Sequence, residues 1–272
     1  MKILVTGGQG YKGSMLIPML LKKGHKVISY DAGWFGENLH SNENLQIIVG
    51  DIRNTDNIPT DGVDCIIHLA SIANDPCSDL NPKLTWEVSG LATMRLADKA
   101  SRSGVKQFIY ASSGSVYGVN ETPEITEDII LDPISEYNKT KMVAERVILS
   151  YFNSMAIQIV RPATVCGYSP RTRLDVAVNL LTNQAMSNNT ITVLGGDQIR
   201  PNIHIIDICR VYLHLLERPF ITGIFNAGFE NLKIIQIAEM ISRKTGAKLN
   251  VLPSNDPRSY RVNSDKLISL YV

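Results

Sequence analysis

The stretch Lys2-Ile-Leu-Val-Thr-Gly-Gly-Gln-Gly-Tyr-Lys-Gly13 decides the fold of this chain. It begins with a short apolar run that is typical of a buried strand, and Gly7, Gly10 and Gly13 follow it with the spacing of a tight turn that opens a helix. Glycines there let the backbone approach a pyrophosphate closely, with the amides of the helix start facing the anion. Such a turn is by itself weak evidence for a dinucleotide site, so the sequence around it must support that interpretation.

Those surroundings repeat the strand and helix pattern. The apolar runs lack the alternation of half-exposed strands, so we expect strands buried on both faces. They cover 2–6, 26–30, 45–49, 65–70, 107–111 and 157–160, and helical spacing of apolar residues marks 11–23, 82–103 and 135–153. This order predicts an α/β fold with a Rossmann-type, doubly wound parallel sheet.

The regular alternation weakens after Arg161, and the polar stretch 167–175 indicates a crossing into a smaller region. We therefore predict a dinucleotide-binding domain over 1–165, to which about 203–227 returns, and a mainly substrate-binding α/β region over 166–272. Its expected elements are helices at 176–186 and 235–244 and short strands at 191–194 and 202–206.

The composition of the chain argues against several classes of protein. With 272 residues, 44% of them hydrophobic and 19% charged, the chain can bury a full core, which excludes disorder. The net charge is +1 and no block of Lys and Arg occurs, so we expect no nucleic-acid partner and no membrane partner. Four cysteines without C-x-x-C spacing predict neither disulfides nor a metal site. Met1 leads directly into the first strand, so a cytoplasmic location is expected.

Asp31 strengthens the case for a dinucleotide. It follows the second strand, 21 residues after Gly10, where a carboxylate can accept both ribose hydroxyls and repels a 2'-phosphate. This favours NAD over NADP. The alternative is that the glycines serve only the turn and Asp31 is a solvated loop acid. Asp51 ends the third strand, where it either meets an adenine amine or simply forms a turn.

Tyr137 and Lys141 stand at i and i+4 of a predicted helix, hence about 6 Å apart at Cβ. Lowering a tyrosine pKa from 10 to about 7 requires roughly 4 kcal/mol, which a buried ammonium and an oxidised nicotinamide together can supply. Phenolate Tyr137 would then be the general base for a substrate hydroxyl, with Ser113 bound to the same oxygen and Lys141 also holding the nicotinamide ribose. The alternative is a surface helix on which Tyr and Lys merely share a face.

Several motifs occur in an order that resembles the extended short-chain dehydrogenase/reductase family, in its nucleotide-sugar epimerases and dehydratases. They are Gly7 to Gly13, Gly50-Asp-Ile-Arg53, His68-Leu-Ala70, Ser112-Ser-Gly-Ser-Val-Tyr-Gly118, Tyr137-x-x-x-Lys141 and Arg200-Pro-Asn-Ile-His-Ile-Ile-Asp207. The resemblance implies NAD as cofactor, a nucleoside-diphosphate sugar as substrate, and a homodimer formed by two helices of each subunit.

The resemblance also implies site residues. Ser113, Tyr137 and Lys141 match the catalytic group of the family. The implied cofactor contacts are Gly7, Gly10, Tyr11, Lys12, Gly13, Asp31, Asp51, Ile52, Leu69, Ala70, Ser71, Tyr137, Lys141 and Ala163. The implied substrate contacts are Ser113, Ser115, Asn179, Arg200 and Arg258.

Dehydratases of the family carry Asp-Glu directly after the catalytic hydroxyl residue, whereas Gly114 and Ser115 stand here. The chain is therefore more similar to the UDP-glucose 4-epimerase branch, in which C4 is oxidised, the keto sugar turns over, and hydride returns to the other face. The alternatives are a 4-dehydrogenase, a 4-keto reductase or a 4,6-dehydratase of the same family, and a non-catalytic NAD-binding regulator. Departures from the family pattern are Trp86-Glu87, Asn74-Asp75-Pro76 and a short C-terminus.

Overall fold

Seven parallel strands form the central sheet of the computed structural model, which describes residues 1–119, 122, 124–254 and 259–271. Numbered along the chain, they are β1 Lys2–Thr6, β2 Lys26–Asp31, β3 Leu45–Val49, β4 Cys65–His68, β5 Gln107–Ala111, β6 Ala156–Pro162 and β10 Gly223–Ala227. Their order in the sheet is β10-β6-β5-β4-β1-β2-β3. The predicted α/β fold with a doubly wound sheet is confirmed.

Helices cover both faces of this sheet. On one face, α1 Gly13–Lys22 and α7 Ile205–Leu216 share an apolar cluster with β1, and on the other, α4 Ala92–Arg102 and α5 Glu136–Leu149 share one with β5. The apolar residues of these helices recur every three or four positions, so one side of each helix is buried.

The remaining elements form smaller units. The strands are β7 Thr164–Cys166, β9 Ile199–His204 and β11 Glu230–Lys233, which form a three-stranded sheet, and β8 Thr190–Leu194 and β12 Lys248–Leu252, which pair in parallel. The helices are α2 Asp75–Leu80, α3 Pro82–Thr85, α6 Ala177–Asn188, α8 Ile234–Thr245 and α9 Asp265–Ile268. Helices α6 and α8 pack with β8 around a third apolar cluster.

Three expectations need correction. β3 pairs only with β2 at the sheet edge, so Val49 is 73% exposed and this strand is not buried on both faces. The strand expected at 202–206 ends at His204, and α7, which we did not predict, begins at the next residue because one apolar run there spans a strand and a helix. The expected helix at 82–103 contains a π-helical turn, Trp86–Leu91.

A crevice forms at β1, because the strands that precede and follow β3 along the chain are added on opposite sides of β1. β1 pairs with β2 on one side and with β4 on the other, so the loops at the carboxyl ends of β1 and β4 diverge. Ligands of doubly wound sheets bind at such a point. β10 pairs with β6, so 223–227 joins the large sheet, while the domain boundary near 165 stays a prediction.

Candidate active site

The glycine turn between β1 and α1 is shaped for a close approach of the chain to itself. Gly7 has φ +73°, and a Cβ there would come within 2.7 Å of the Ala70 nitrogen. A Cβ at Gly13 would come within 2.4 Å of the Gly7 oxygen. No side chain caps the start of α1, and the Ser14 amide donates to the Gly10 oxygen of the turn at 2.9 Å. This cradle fits the diphosphate of a dinucleotide.

Asp31 ends β2 beside this turn. Its Oδ2 accepts from the Gln9 amide at 3.1 Å and its Oδ1 from the Gly33 amide at 2.8 Å, so the carboxylate is fixed at the crevice. This placement fits a ribose acceptor and makes the solvated loop acid the weaker interpretation.

Asp51 and Ile52 follow β3 at the same edge. Arg53 Nη2 lies 2.6 Å from Asp51 Oδ2, and its hydrogen bonds hold the pKa of that carboxyl below its usual range. Ile52 is 6% exposed. The carboxylate therefore already has a cationic partner within its own loop.

The other predicted cofactor contacts follow the carboxyl ends of β1, β4 and β6. Tyr11 Oη donates to the Gly167 oxygen at 2.7 Å, and the Leu69 amide donates to the β1 residue Thr6 at 3.0 Å. Ser71 Oγ lies 3.0 Å from Ser89 Oγ. Ala70 lies against the glycine turn, and the Ala163 amide donates to the Ala227 oxygen at 2.8 Å.

Ser113 and Tyr137 meet at the carboxyl end of β5. Ser113 begins a short 3-10 helix, Gly114–Tyr117, and its Oγ accepts from the Ser115 amide at 3.2 Å. The Ser113 side chain lowers the pKa of Tyr137. Ser115 Oγ lies 2.7 Å from Ser113 Oγ and donates to Asn138 Oδ1 on α5. The two serines are thus connected, through Asn138, to the helix that carries Tyr137.

Lys141 is buried one helical turn after Tyr137. It is 2% exposed, and its Nζ donates to the Ala111 oxygen at 2.8 Å and lies 5.8 Å from the centre of the Tyr137 ring. Burial and the nearby charge of Lys12 lower the pKa of Lys141 to about 7. Burial and the charge of Arg173 likewise lower the pKa of Lys12 to about 8. The crevice therefore concentrates positive charge, which suits an anionic ligand.

The pKa of Tyr137 depends on burial and on several neighbouring side chains. Burial raises it, while the Ser113 side chain and the charge of Arg173 lower it and the charge of Asp75 raises it. Burial therefore favours the neutral phenol. We did not predict Arg173, and its only sequence signal was its place in the polar stretch 167–175.

Asn179, a predicted substrate contact, is buried with its amide already engaged. Its Oδ1 accepts from the Gly167 amide at 2.8 Å, and its Nδ2 donates to the Arg173 oxygen at 2.7 Å and to Tyr11 Oη at 3.2 Å. In this arrangement it ties α6 to the glycine turn and to the loop after β7.

Arg200 lies on β9, away from the catalytic group along the chain, with its Nη1 donating to the Ile199 oxygen at 3.3 Å. Arg258, another predicted substrate contact, lies outside the described residues.

His68 is a satisfied core residue at the end of β4. Its ring nitrogens lie 2.5 Å from Thr6 Oγ1 and 2.8 Å from Thr93 Oγ1, and burial together with the charge of Lys141 lowers its pKa to about 3. In the described ranges, no three His, Cys, Asp or Glu side chains are grouped to hold a metal ion. No helix in the described part of the chain has both the length and the apolar character to cross a membrane.

Comparison with known proteins places this site in a family. Residues 3–228 match the model of the NAD dependent epimerase/dehydratase family. The chain is 31% identical over 267 residues to an uncharacterized UDP-glucose epimerase, YtcB, of Bacillus subtilis strain 168, covering 91% of this chain and 83% of that protein. It is 27% identical over 290 residues to a UDP-glucose 4-epimerase of Corynebacterium glutamicum, covering 98% and 88%.

Solved structures agree. A UDP-glucuronic acid 4-epimerase from Bacillus cereus, in complex with UDP-glucuronic acid and NAD, superposes with a TM-score of 0.86 at 29% identity, covering 99% of this chain and 92% of that one. MoeE5 in complex with UDP-glucuronic acid and NAD gives 0.87 at 25% identity, with 99% and 92% covered. The predicted Rossmann-type fold, the use of NAD and the prediction of an epimerase-class enzyme are confirmed. The chain belongs to the NAD dependent epimerase/dehydratase family.

Proposed function

We propose that this enzyme is a 4-epimerase of a UDP-sugar, with Tyr137, Ser113 and Lys141 as its catalytic group. One observation carries the proposal. Tyr137, whose pKa the Ser113 side chain lowers, precedes buried Lys141 by one turn of α5, and the Lys141 Nζ donates to Ala111 at the end of β5, on the sheet edge that also carries the glycine turn. UDP is chosen because relatives and solved neighbours that match nearly the whole chain are named for UDP-sugars.

The residues at the crevice fit NAD. Gly7, Gly10 and Gly13 would hold its diphosphate, and Asp31 its adenosine ribose. Asp51 and Ile52 would flank the adenine, with the remaining contacts from Tyr11, Lys12, Leu69, Ala70, Ser71 and Ala163. When bound, NAD supplies an acceptor and donor of hydride for the sugar C4.

Tyr137 would take the proton from the C4 hydroxyl and return it in the reverse half of the reaction. Ser113 would hydrogen-bond the same sugar oxygen and so hold it against the tyrosine. Lys141 would keep its charge through contact with anionic ligand groups and the nicotinamide ribose. Because burial raises the pKa of Tyr137, its ionisation depends on positive charge in the crevice, to which Arg173 contributes.

The division of ligand binding between two regions, the oligomeric state and the location are also proposals. Region 166–272 would bind the substrate, with Ser115, Asn179, Arg200 and Arg258 as its contacts, while 1–165 binds NAD. A homodimer in the cytoplasm is the expected working form.

A sugar-nucleotide panel tests the reaction. Purified protein is mixed with UDP-glucose, UDP-galactose, UDP-glucuronic acid and the corresponding GDP-, CDP- and dTDP-sugars, and products are separated by chromatography while absorbance at the NADH band is followed. Interconversion of C4 epimers without net NADH supports the proposal. Stoichiometric NADH or a stable keto sugar would instead identify a dehydrogenase, reductase or dehydratase. Bound NAD without turnover of any sugar would identify a non-catalytic binder.

A further inference from the structure

Two stretches that depart from the family pattern both touch the start of α5. Asp75, at the beginning of α2, accepts a hydrogen bond from Ser135 Oγ at 2.5 Å. Trp86, at the beginning of the π-helical turn, donates from Nε1 to Glu136 Oε2 at 2.7 Å. Ser135 and Glu136 are the two residues directly before Tyr137, so that tyrosine follows two consecutive anchored positions.

Ser135 serves two purposes with one hydroxyl. It is the N-cap of α5, where its Oγ accepts from the Asn138 amide at 3.2 Å, and the same oxygen donates to Asp75. The cap satisfies one of the free amides of the first helical turn. Asp75 therefore fixes the rotamer of the residue that begins the catalytic helix.

The Trp86 ring is itself held in place. A Cβ at Gly90 would come within 3.2 Å of the ring carbon Cε3, so the indole lies close against the backbone of its own turn. The π-helical turn supplies this geometry, and such turns are frequent at functional sites. The indole can therefore hold the start of α5 in a fixed position relative to the π-helical turn.

Ser115 also restrains the first turn of α5, because its Oγ donates to Asn138 Oδ1. Glu136 also pairs with Lys139 at 2.8 Å, but both side chains are about a third exposed or more, and such pairs contribute little. Tyr137 must keep its oxygen beside Ser113 to act on one sugar hydroxyl. A displacement of about 1 Å at a reacting group can cost on the order of 100-fold in rate.

We propose that Asp75 and Trp86 are positioning residues that hold the first turn of α5 so that the Tyr137 hydroxyl stays aligned with Ser113. This inference rests on the proposed role of Tyr137. Asp75 acts on this turn from α2, and Trp86 acts on it from the π-helical turn.

The test compares disruptive with conservative variants. Asp75→Ala and Trp86→Phe remove the two hydrogen bonds, and each is expected to lower kcat about 10-fold with KM for the UDP-sugar unchanged. Asp75→Asn and Glu136→Gln keep an acceptor oxygen at each bond, and each is expected to retain kcat within about threefold. Bound NAD, measured after denaturation, should equal that of the unaltered enzyme in all four variants.

Lys139→Met is the matched control, because it removes the other partner of Glu136 and leaves the Trp86 bond intact. It should turn over like the unaltered enzyme. Unchanged kcat in Asp75→Ala and Trp86→Phe would overturn the proposal. So would equal losses in the conservative variants, or losses that accompany missing NAD or a much lower melting temperature. If Tyr137→Phe itself keeps full turnover, the proposed function fails instead.

Discussion

Two buried cations on adjoining elements have opposite surroundings. Lys141 on α5 and Arg161 on β6 are each 2% exposed. Arg161 Nη2 lies 2.6 Å from Glu145 Oε2 and its Nη1 donates to Tyr117 Oη at 2.8 Å, whereas a backbone oxygen, that of Ala111, is the acceptor of Lys141 Nζ. Burial opposes both charges, yet Glu145 raises the pKa of Arg161, while the pKa of Lys141 is lowered to about 7.

The difference separates a charge that the protein neutralises from one that it offsets only in part. Arg161 belongs to a closed network in which Tyr117 Oη donates onward to Asn226 Oδ1 at 2.7 Å, so its charge is neutralised within the protein. Lys141 has no ion pair in the described part of the chain, and Glu145 only partly offsets the burial and the charge of Lys12 that lower its pKa. A bound anion would therefore stabilise the charge of Lys141.

Tyr137→Phe gives the largest expected effect, because in the proposed function Tyr137 and Lys141, rather than the Arg161 network, carry the chemistry. Removing the hydroxyl deletes the general base, which typically contributes 100- to 10,000-fold, and we expect a loss of kcat on the order of 1,000-fold or more. The fold and bound NAD should be unchanged, since the ring and its packing remain. Epimerisation of UDP-glucose, followed by chromatography, measures the loss.

Ser115→Ala is a suitable comparison for that variant, because it removes a neighbouring hydroxyl that contacts Ser113 without touching the proton in transit. A much smaller loss is expected there. Full turnover by Tyr137→Phe would show that the base lies elsewhere.

The sequence predicted the sheet and the placement of Tyr137 and Lys141 on one helix because each depends on local spacing. Tyr137 and Lys141 share a helix face, and the glycines around Gly10 follow a strand directly. Arg173 could not be predicted in this way, because its effect on Tyr137 arises from a loop after β7 that only the folded chain brings near α5. The same holds for the Asp75 contact with Ser135, where the two residues are 60 positions apart.

Glu145→Leu should produce the second largest effect, this time on stability. It leaves Arg161 buried without its carboxylate and also removes the acceptor of Ser112 Oγ. Breaking one side of a buried ion pair typically costs about 3–5 kcal/mol, and we expect a loss of that size in the free energy of unfolding. Urea denaturation followed by circular dichroism measures it.

Pairing this change with Arg161→Met tests the cause. Because the double variant leaves no charge behind, it should recover a large part of the lost stability. A double variant as unstable as the single one would mean that packing around Glu145, rather than the stranded guanidinium, causes the loss.

Lys141→Met should have the smallest effect on stability. At low pH it should stabilise the protein, whereas Glu145→Leu destabilises it. Lysines of the unfolded chain keep their proton up to about pH 10.4, whereas folded Lys141 releases it near about 7. The unfolded state therefore binds more protons between these values, so the stability of NAD-free protein should rise from pH 6 to 9, by about 2 kcal/mol. Lys141→Met should reduce this rise to the smaller one that Lys12, with its pKa lowered to about 8, still gives above that pH, and the variant should be more stable than the unaltered chain at pH 6. Lys139→Met, at an exposed position of the same helix, should keep the full rise. If Lys141→Met keeps the full rise as well, the buried charge of Lys141 does not destabilise the protein and the contrast with Arg161 fails.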